Sequence, residues 1–385
     1  MSVHSIPSAK ATLSAVGVEP AAIRKPLPAA RHLGGEIYCS PEIYKLEQEL
    51  IFKKHWLCVG RVDEVPNVGD YITMRLADQP ILISRDSPDS VVVLRNRCPH
   101  RGVEVAYGSG NGKSFTCPYH AWNFDLSGKL VGAGYMKGTE TDMSQMRLPA
   151  LRTAFWRGFI FITFSDETQP FEDFIAPYEK PLWFYQADKL KFADKLVVEV
   201  NTNWKFVVEN LLDMYHVSTL HAKTFGKFIQ LVRDELAFDA IPGGGIAFTF
   251  GSKPMTADGS QSFPFVSFLK DQGLGFAAKG AIFPNINLSV RADGLRMWTL
   301  WPLSPDRTQI VSYLLLEPGA SERPEFAERM ATYRDYMRSI VAEDQQAVES
   351  LQRNARAADF DPGPLSHLEG PIHHVLNNYL DVIGR

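Results

Sequence analysis

The rhythm of apolar and polar positions changes three times along the 385 residues. In SPEIYKLEQELIFKKHW, from Ser40 to Trp56, apolar residues recur at helical spacing, Ser40 is placed as an N-cap and Pro41 takes the first helical position. From Trp56 to about Phe164 the pattern shortens to alternating runs: DYITMRL, PILISR, SVVVLRN, NFDLSGKLV and GFIFITF. Turn dipeptides such as Asn111-Gly112 and Ser127-Gly128 separate them, which predicts a small all-β module. Beyond Asp166, LVVEV reads as a strand and the chain turns helical near Trp204. Further strands are predicted in GGIAFTF, AIFPNINLSV, LRMWTLWPL and TQIVSYLLL, then a long helix from about Pro324 to Arg356 and a last one in PIHHVLNNYLDVIGR. Strands followed by a long helix predict an α+β domain with the helix laid across an antiparallel sheet.

Composition narrows the function. With 45% hydrophobic residues the chain can bury a large core, in two domains or one large one. A net charge of -4 without a basic stripe argues against nucleic acid, and no apolar run approaches the roughly 20 residues that span a bilayer. Four cysteines do not make a disulfide scaffold, so a reducing compartment, the cytoplasm, is expected. Cys39 and Cys58 have no ligand-spaced neighbour and read as bystander thiols. The first 35 residues, rich in Ala, Ser and Pro, read as a flexible arm rather than a transit peptide, for want of an amphipathic Arg stripe.

The chemistry concentrates in RNRCPHRGVEVAYGSGNGKSFTCPYHAW, from Arg95 to Trp122. Cys98 and His100 form C-x-H; sixteen residues later Cys117 and His120 form C-x2-H. Structural zinc sites pair like ligands on each arm, whereas here each arm carries one Cys and one His, with a rigid Pro after each Cys (Pro99, Pro118). Mixed pairs fit a two-iron cluster with thiolates on one iron and imidazoles on the other, which raises the potential to about −150 to +300 mV from about −400 mV. CPHRG through CPYHAW resembles the signature of Rieske proteins. The resemblance implies that Cys98 and Cys117 bind one iron of a [2Fe-2S] cluster and His100 and His120 the other, with Trp122 packed beside the second loop. Ala121 stands where glycine is more usual.

Roughly ninety residues downstream, NLLDMYHVSTLHAKTF holds Asp213, His216 and His221 as D-x2-H-x4-H. On a continuous helix Asp213 and His216 would share a face, and the helix must end or distort near His221 to bring both imidazoles to one ion. Two His and a carboxylate with open positions suit non-haem Fe(II), although such a trio also arises by chance. NWKFVVENLLDMYHVSTLH is similar to the catalytic motif of Rieske non-haem iron oxygenases, the aromatic-ring-hydroxylating dioxygenase alpha subunits, and the likeness runs from about Pro41 to the C-terminal helix. It implies His216 and His221 as ligands of a mononuclear Fe(II). It implies Asp213 as a bridging carboxylate toward a neighbouring subunit's His120. It implies Asp344 rather than Glu343 as third ligand, from E-D-x4-E-x2-Q in AEDQQAVESLQ. Glu349 and the other acids of that helix read as solvated; His55, His373 and His374 read as structural.

The implied architecture is α+β. A flexible arm (1–40) precedes an all-β Rieske domain (41–165), whose 41–55 helix is free to pack on the next domain. The catalytic domain (166–385) has an antiparallel sheet under a long helix, the helix-grip or START-like arrangement. The chain lacks a dinucleotide fingerprint and a second cysteine group, so electrons are expected from a separate NAD(P)H-dependent reductase, with or without a ferredoxin. The resemblance further implies a homotrimer with electron transfer between subunits. Apolar residues such as Phe225, Phe248, Phe250, Trp298 and Trp301, with Asn285 and Asn287 as candidate polar groups, suggest a cavity for an aromatic or alicyclic substrate to be hydroxylated. Oxidative O- or N-demethylation at the same iron is the alternative. A Rieske electron carrier and a zinc-stapled binding module are the non-enzyme readings.

Overall fold

The computed structural model describes Leu13 and residues 20–229, 236–357 and 361–384. The chain divides into two compact units, Phe52–Phe171 and the remainder. Helix α1, Pro41–Glu47, is capped by the Ser40 hydroxyl, which accepts from the amides of Glu42 and Ile43. It runs on into a π-helical turn at Gln48–Phe52 and groups with the larger unit.

The smaller unit is all β. Strands β1 (Leu57–Arg61), β2 (Asp70–Leu76), β3 (Gln79–Ser87), β4 (Ser90–Arg95), β5 (Ser109–Asn111), β6 (Phe115–Thr116), β7 (Asn123–Phe124), β8 (Leu130–Gly132), β9 (Arg152–Trp156) and β10 (Phe159–Thr163) form three antiparallel sheets. Their orders are β1-β10-β9, β4-β3-β2-β5 and β6-β7-β8. β10 lies between β1 and β9 and is buried throughout, which is why FIFIT reads as an unbroken apolar run. NFDLSGKLV proves to be two short strands around the Ser127-Gly128 turn.

In the larger unit β11 (Lys191–Val200) leads into α2 (Trp204–Leu212) and the single-turn α3 (Val217–Leu220). Then come β12 (Asp239–Ile241), β13 (Gly245–Gly251), β14 (Phe276–Ile282), β15 (Ile286–Arg291), β16 (Gly294–Ser304) and β17 (Arg307–Leu316). A seven-stranded antiparallel sheet results, in the order β11-β17-β16-β15-β14-β13-β12. AIFPNINLSV, expected as one strand, is the end of β14, a turn at Phe283-Pro284 and all but the last residue of β15, because proline cannot donate within a ladder. The long helix α4 spans Phe326–Asn354 and α5 spans Gly370–Ile383. Tyr333, Met337, Val341, Asp344 and Val348 recur on α4 at intervals of three and four, and with sheet residues they line one cavity.

The N-terminal arm departs from expectation. Its described residues 20–40 are packed: Ile23, Leu33, Ile37 and Tyr38 are buried, and Glu36–Cys39 forms a helical turn. The rest of the arm, Leu13 apart, lies outside the described residues. The apolar side chains that low complexity masks in sequence are enough to hold the segment down. One further anchor fixes α2: Glu47, wholly buried, accepts from Lys205 Nζ (2.5 Å), Tyr379 Oη (2.7 Å) and Trp204 Nε1 (2.8 Å). A buried carboxylate is stable only when its lone pairs are filled in this way.

Candidate active site

Two loops of the β unit carry the first group, and both close alike. Cys98 N donates to Val103 O and Gly102 N to Cys98 O, each at 2.8 Å. Cys117 N donates to Trp122 O at 2.8 Å and Ala121 N to Cys117 O at 3.0 Å. The fourth residue after each cysteine is left-handed: Gly102 at φ 83° and Ala121 at φ 56°. A side chain there carries about 1–2 kcal/mol of strain. Ala121→Gly is therefore expected to stabilise the loop by about 1 kcal/mol, read as a higher midpoint for thermal loss of the cluster's absorption.

The two thiols are buried, while His100 and His120 reach the surface with their Nδ1 atoms 3.1 Å apart. His100 stacks on Trp122 (4.8 Å between centroids, 9° between planes), and Tyr119 lies against His120. Burial, followed by the neighbouring Cys117 thiol, holds the Cys98 pKa up. Two inward sulfurs and two facing imidazole nitrogens form a donor set that a two-iron cluster satisfies. Sequence reasoning missed Asn96. Fully buried, it donates to Ala106 O (2.7 Å) and accepts from the amides of Val105 (2.9 Å) and Ala106 (3.2 Å), pinning the first loop.

The second group forms where α2 ends. Helix α2 stops at Leu212, so Asp213 sits at its C-cap in extended conformation rather than sharing a helical face with His216. His216 opens α3 and His221 closes it. This break, earlier than the spacing suggested, turns both imidazoles toward α4. His221 Nε2 is 3.0 Å and His216 Nε2 3.6 Å from the same Asp344 oxygen, and one ligand atom from each residue lies within 4.8 Å of the others. Asn210 Nδ2 donates to that oxygen at 3.1 Å.

The outer nitrogens are held by carboxylates. His216 Nδ1 is 2.9 Å from Asp213 Oδ2, and His221 Nδ1 is 2.7 Å from Glu343 Oε2, which also accepts from Thr224 Oγ1. Burial pulls the His221 pKa down, but Asp344 and then Glu343 outweigh it and hold it above the ordinary imidazole value. Each Nδ1 is thereby engaged, leaving both Nε2 atoms to face a metal, the donor set that suits Fe(II). Glu343, weighed in the sequence only as a rival ligand, instead holds the outer nitrogen of His221. Glu343→Ala is expected to weaken iron retention about tenfold, measured by iron content after dialysis against a graded chelator.

Two cavities flank this centre. One, about 280 Å³, runs between α4 and the sheet to Asp344 and Asn210. About half of its lining is aliphatic (among them Leu196, Val198, Val207, Ile310 and Val341), Asp194, Lys195, Arg334 and Arg338 also border it, and of the aromatics proposed from sequence only Trp298 lines it. The other, about 650 Å³, exposes Asp213 and His216 beside His32, Tyr38, Glu209 and Glu369. There burial lifts the Glu209 pKa to about 7, while Tyr38 donates to it at 2.8 Å. The histidines read as structural remain so: His373 and His374 approach backbone carbonyls of Lys25 (2.9 Å) and Ile241 (3.2 Å). Glu349 is not simply solvated, since it accepts from the Asn201 amide at 3.0 Å and ties the β11–α2 corner to α4.

Known proteins share these features. Residues 187–385 match the family described as ring hydroxylating alpha subunit (catalytic domain), and residues 55–144 match the Rieske [2Fe-2S] domain. The glycine betaine monooxygenase oxygenase subunit of Pseudomonas aeruginosa is 26% identical over 360 residues, covering 86% of this chain and 83% of its own. The toluate 1,2-dioxygenase alpha subunit of Pseudomonas putida is 27% identical over 378 residues, 87% of this chain and 82% of its own. A solved quaternary ammonium Rieske monooxygenase superposes with a TM-score of 0.77 at 22% identity, over 92% of this chain and 96% of its own, a likeness of fold. No helix among the described residues is long and apolar enough to cross a membrane. The chain belongs to the ring-hydroxylating alpha subunits and is the terminal oxygenase component of a Rieske non-haem iron oxygenase, a family that carries a [2Fe-2S] cluster and a mononuclear iron and draws electrons from a separate reductase.

Proposed function

We propose that this oxygenase hydroxylates a small, ring-sized apolar molecule at the centre formed by His216, His221 and Asp344. The observation that carries the reading is that Asp344 belongs both to the donor set and to the wall of the aliphatic cavity. At about 280 Å³ that cavity is roughly twice the ~150 Å³ that admits benzene. Cys98 and Cys117 would hold one iron of the cluster, His100 and His120 the other, and His216, His221 and Asp344 the mononuclear iron. When bound, the two centres supply one electron each for reductive activation of O2. The chain's own part is to fix the imidazoles through Asp213 and Glu343, to keep water from the apolar cavity, and to present Asp213 beside the larger cavity. Asp213 there would bridge His216 to His120 of the partner subunit, in a homotrimer of head-to-tail contacts.

A second reading, oxidative removal of an N- or O-methyl group, is supported by the glycine betaine and quaternary ammonium monooxygenases among the relatives. Against it, a permanent cation favours several aromatic faces, and the described lining of the cavity offers only Trp298 and Tyr333. The test is a single turnover of the chemically reduced protein under heavy-isotope O2, with arenes, aryl carboxylates, methoxyarenes and methylamines. Two heavy oxygens in an arene product support ring dioxygenation. One heavy oxygen retained on a ring supports monohydroxylation, whereas loss of a methyl group moves the function to demethylation.

A further inference from the structure

The sheet face that lines the aliphatic cavity continues past it, and its chemistry changes. Trp298 on β16 lies opposite Asn287 on β15, and Ser289 lies opposite both Arg296 and Lys279 on its two neighbours. Residues directly opposite in a ladder share a face, as do every second residue along a strand. Asn287, Ser289 and Arg291 therefore form one inward row, about 14 Å from end to end at ~3.4 Å per residue. Exposure of the three is 2%, 4% and 3%.

This row is polar without being satisfied. Neither amide atom of Asn287 has a hydrogen-bond partner among the described residues, and neither do Nε and Nη1 of Arg291. Among the described residues the guanidinium lies 3.5 Å from Met255 Sδ through Nη2 and 5.2 Å from the centre of the Phe250 ring. Burial, and then Arg296, pull its pKa down to about 9. Arg296 donates to Tyr333 Oη, and the buried Asp293 carboxylate interacts electrostatically with both Arg291 and Arg296. Lys279 feels Arg291 on one side and Asp344 on the other, and its Nζ donates to the backbone of cavity-lining Leu211 at 2.8 Å. Buried donors are almost always paired, so a row left open beside a substrate cavity points to a ligand that pairs it.

We propose that the substrate carries a carboxylate, which Arg291 takes through its open Nε and Nη1 edge while Asn287 bonds a polar group nearer the ring. The planar fork of a guanidinium matches a carboxylate in geometry as well as charge. A substrate anchored at Arg291 extends along the row toward Trp298 and the Asp344 end of the cavity. This rests on the reading of that cavity as the substrate site, and it favours aryl carboxylates over neutral arenes.

The test compares acids with partners of similar shape that lack the carboxylate, on the iron-loaded, cluster-intact full chain. Dissociation constants would be measured anaerobically by calorimetry for benzoate and benzamide, phenylacetate and phenylacetamide, and trimethylglycine and choline, the last pair separating carboxylate from cation. At least one acid is expected to bind about tenfold or more tighter than its partner. Arg291→Gln should erase that preference, and Arg291→Lys should keep part of it. Equal binding within every pair, or no bound acid at all, overturns the proposal, as does a folded Arg291→Gln protein that keeps the preference. Binding is read apart from turnover. A protein that oxygenates neutral arenes but ignores the acids keeps the oxygenase function and loses this inference; one that binds acids yet transfers no labelled oxygen does the reverse.

Discussion

Replacing His216 by Ala is expected to abolish product formation while leaving the red-brown colour of the protein unchanged. Among the described residues the imidazole supplies one of three donor atoms that α3 and α4 bring together, so its loss leaves His221 and Asp344 as a pair. Two donors do not make the three-ligand face that non-haem Fe(II) centres use. Asp213 would also lose its partner at 2.9 Å, and the cavity that His216 borders would open. None of this touches the loops of Cys98 and Cys117, which belong to the other compact unit. Absorption should therefore persist while iron content falls by the mononuclear share, and turnover with any substrate should drop to background. Retained turnover would remove this centre from the reaction. Lost colour would mean that the two units depend on one another for folding.

The parts of the site legible in the sequence are those encoded by short spacing. Cys98 with His100, Cys117 with His120, and Asp213 with His216 and His221 each lie within one loop or one helix end, so chemistry and geometry are written together. The parts that were not legible depend on distant contacts. Glu343 orients His221 across 122 residues of chain, and nothing in the spacing of either motif announces it. The end of α2 at Leu212 was hidden because VVENLLDMYH keeps helical apolar spacing through the break. The arm at 20–40 was hidden by composition, since a few apolar residues among Ala and Pro suffice once a groove exists to receive them. The cavity wall was misread for a related reason: most of the aromatics pack in the core, and aliphatic residues from β11, β17 and α4 meet only when the sheet forms.

Asp213→Asn should slow steady-state turnover about a hundredfold while both metal centres stay in place. The carboxylate has two committed oxygens: Oδ1 accepts from the Tyr215 amide at 2.6 Å and Oδ2 accepts from His216 Nδ1 at 2.9 Å. An amide can fill only one of these roles. If its oxygen keeps Tyr215, its NH2 faces the His216 N–H, donor against donor, and that hydrogen bond is lost. The side chain is also 16% exposed into the cavity of about 650 Å³, where His120 of the partner subunit is proposed to arrive. With an amide in place, the acceptor that would receive that second imidazole is weakened as well. The distinguishing readout is reoxidation of the reduced cluster on mixing with substrate and O2. A bridging Asp213 requires that this rate fall with turnover, at unchanged iron content and unchanged thermal stability. Slow turnover with cluster reoxidation at the unmodified rate would confine Asp213 to holding His216, and the route for the electron would have to be sought elsewhere.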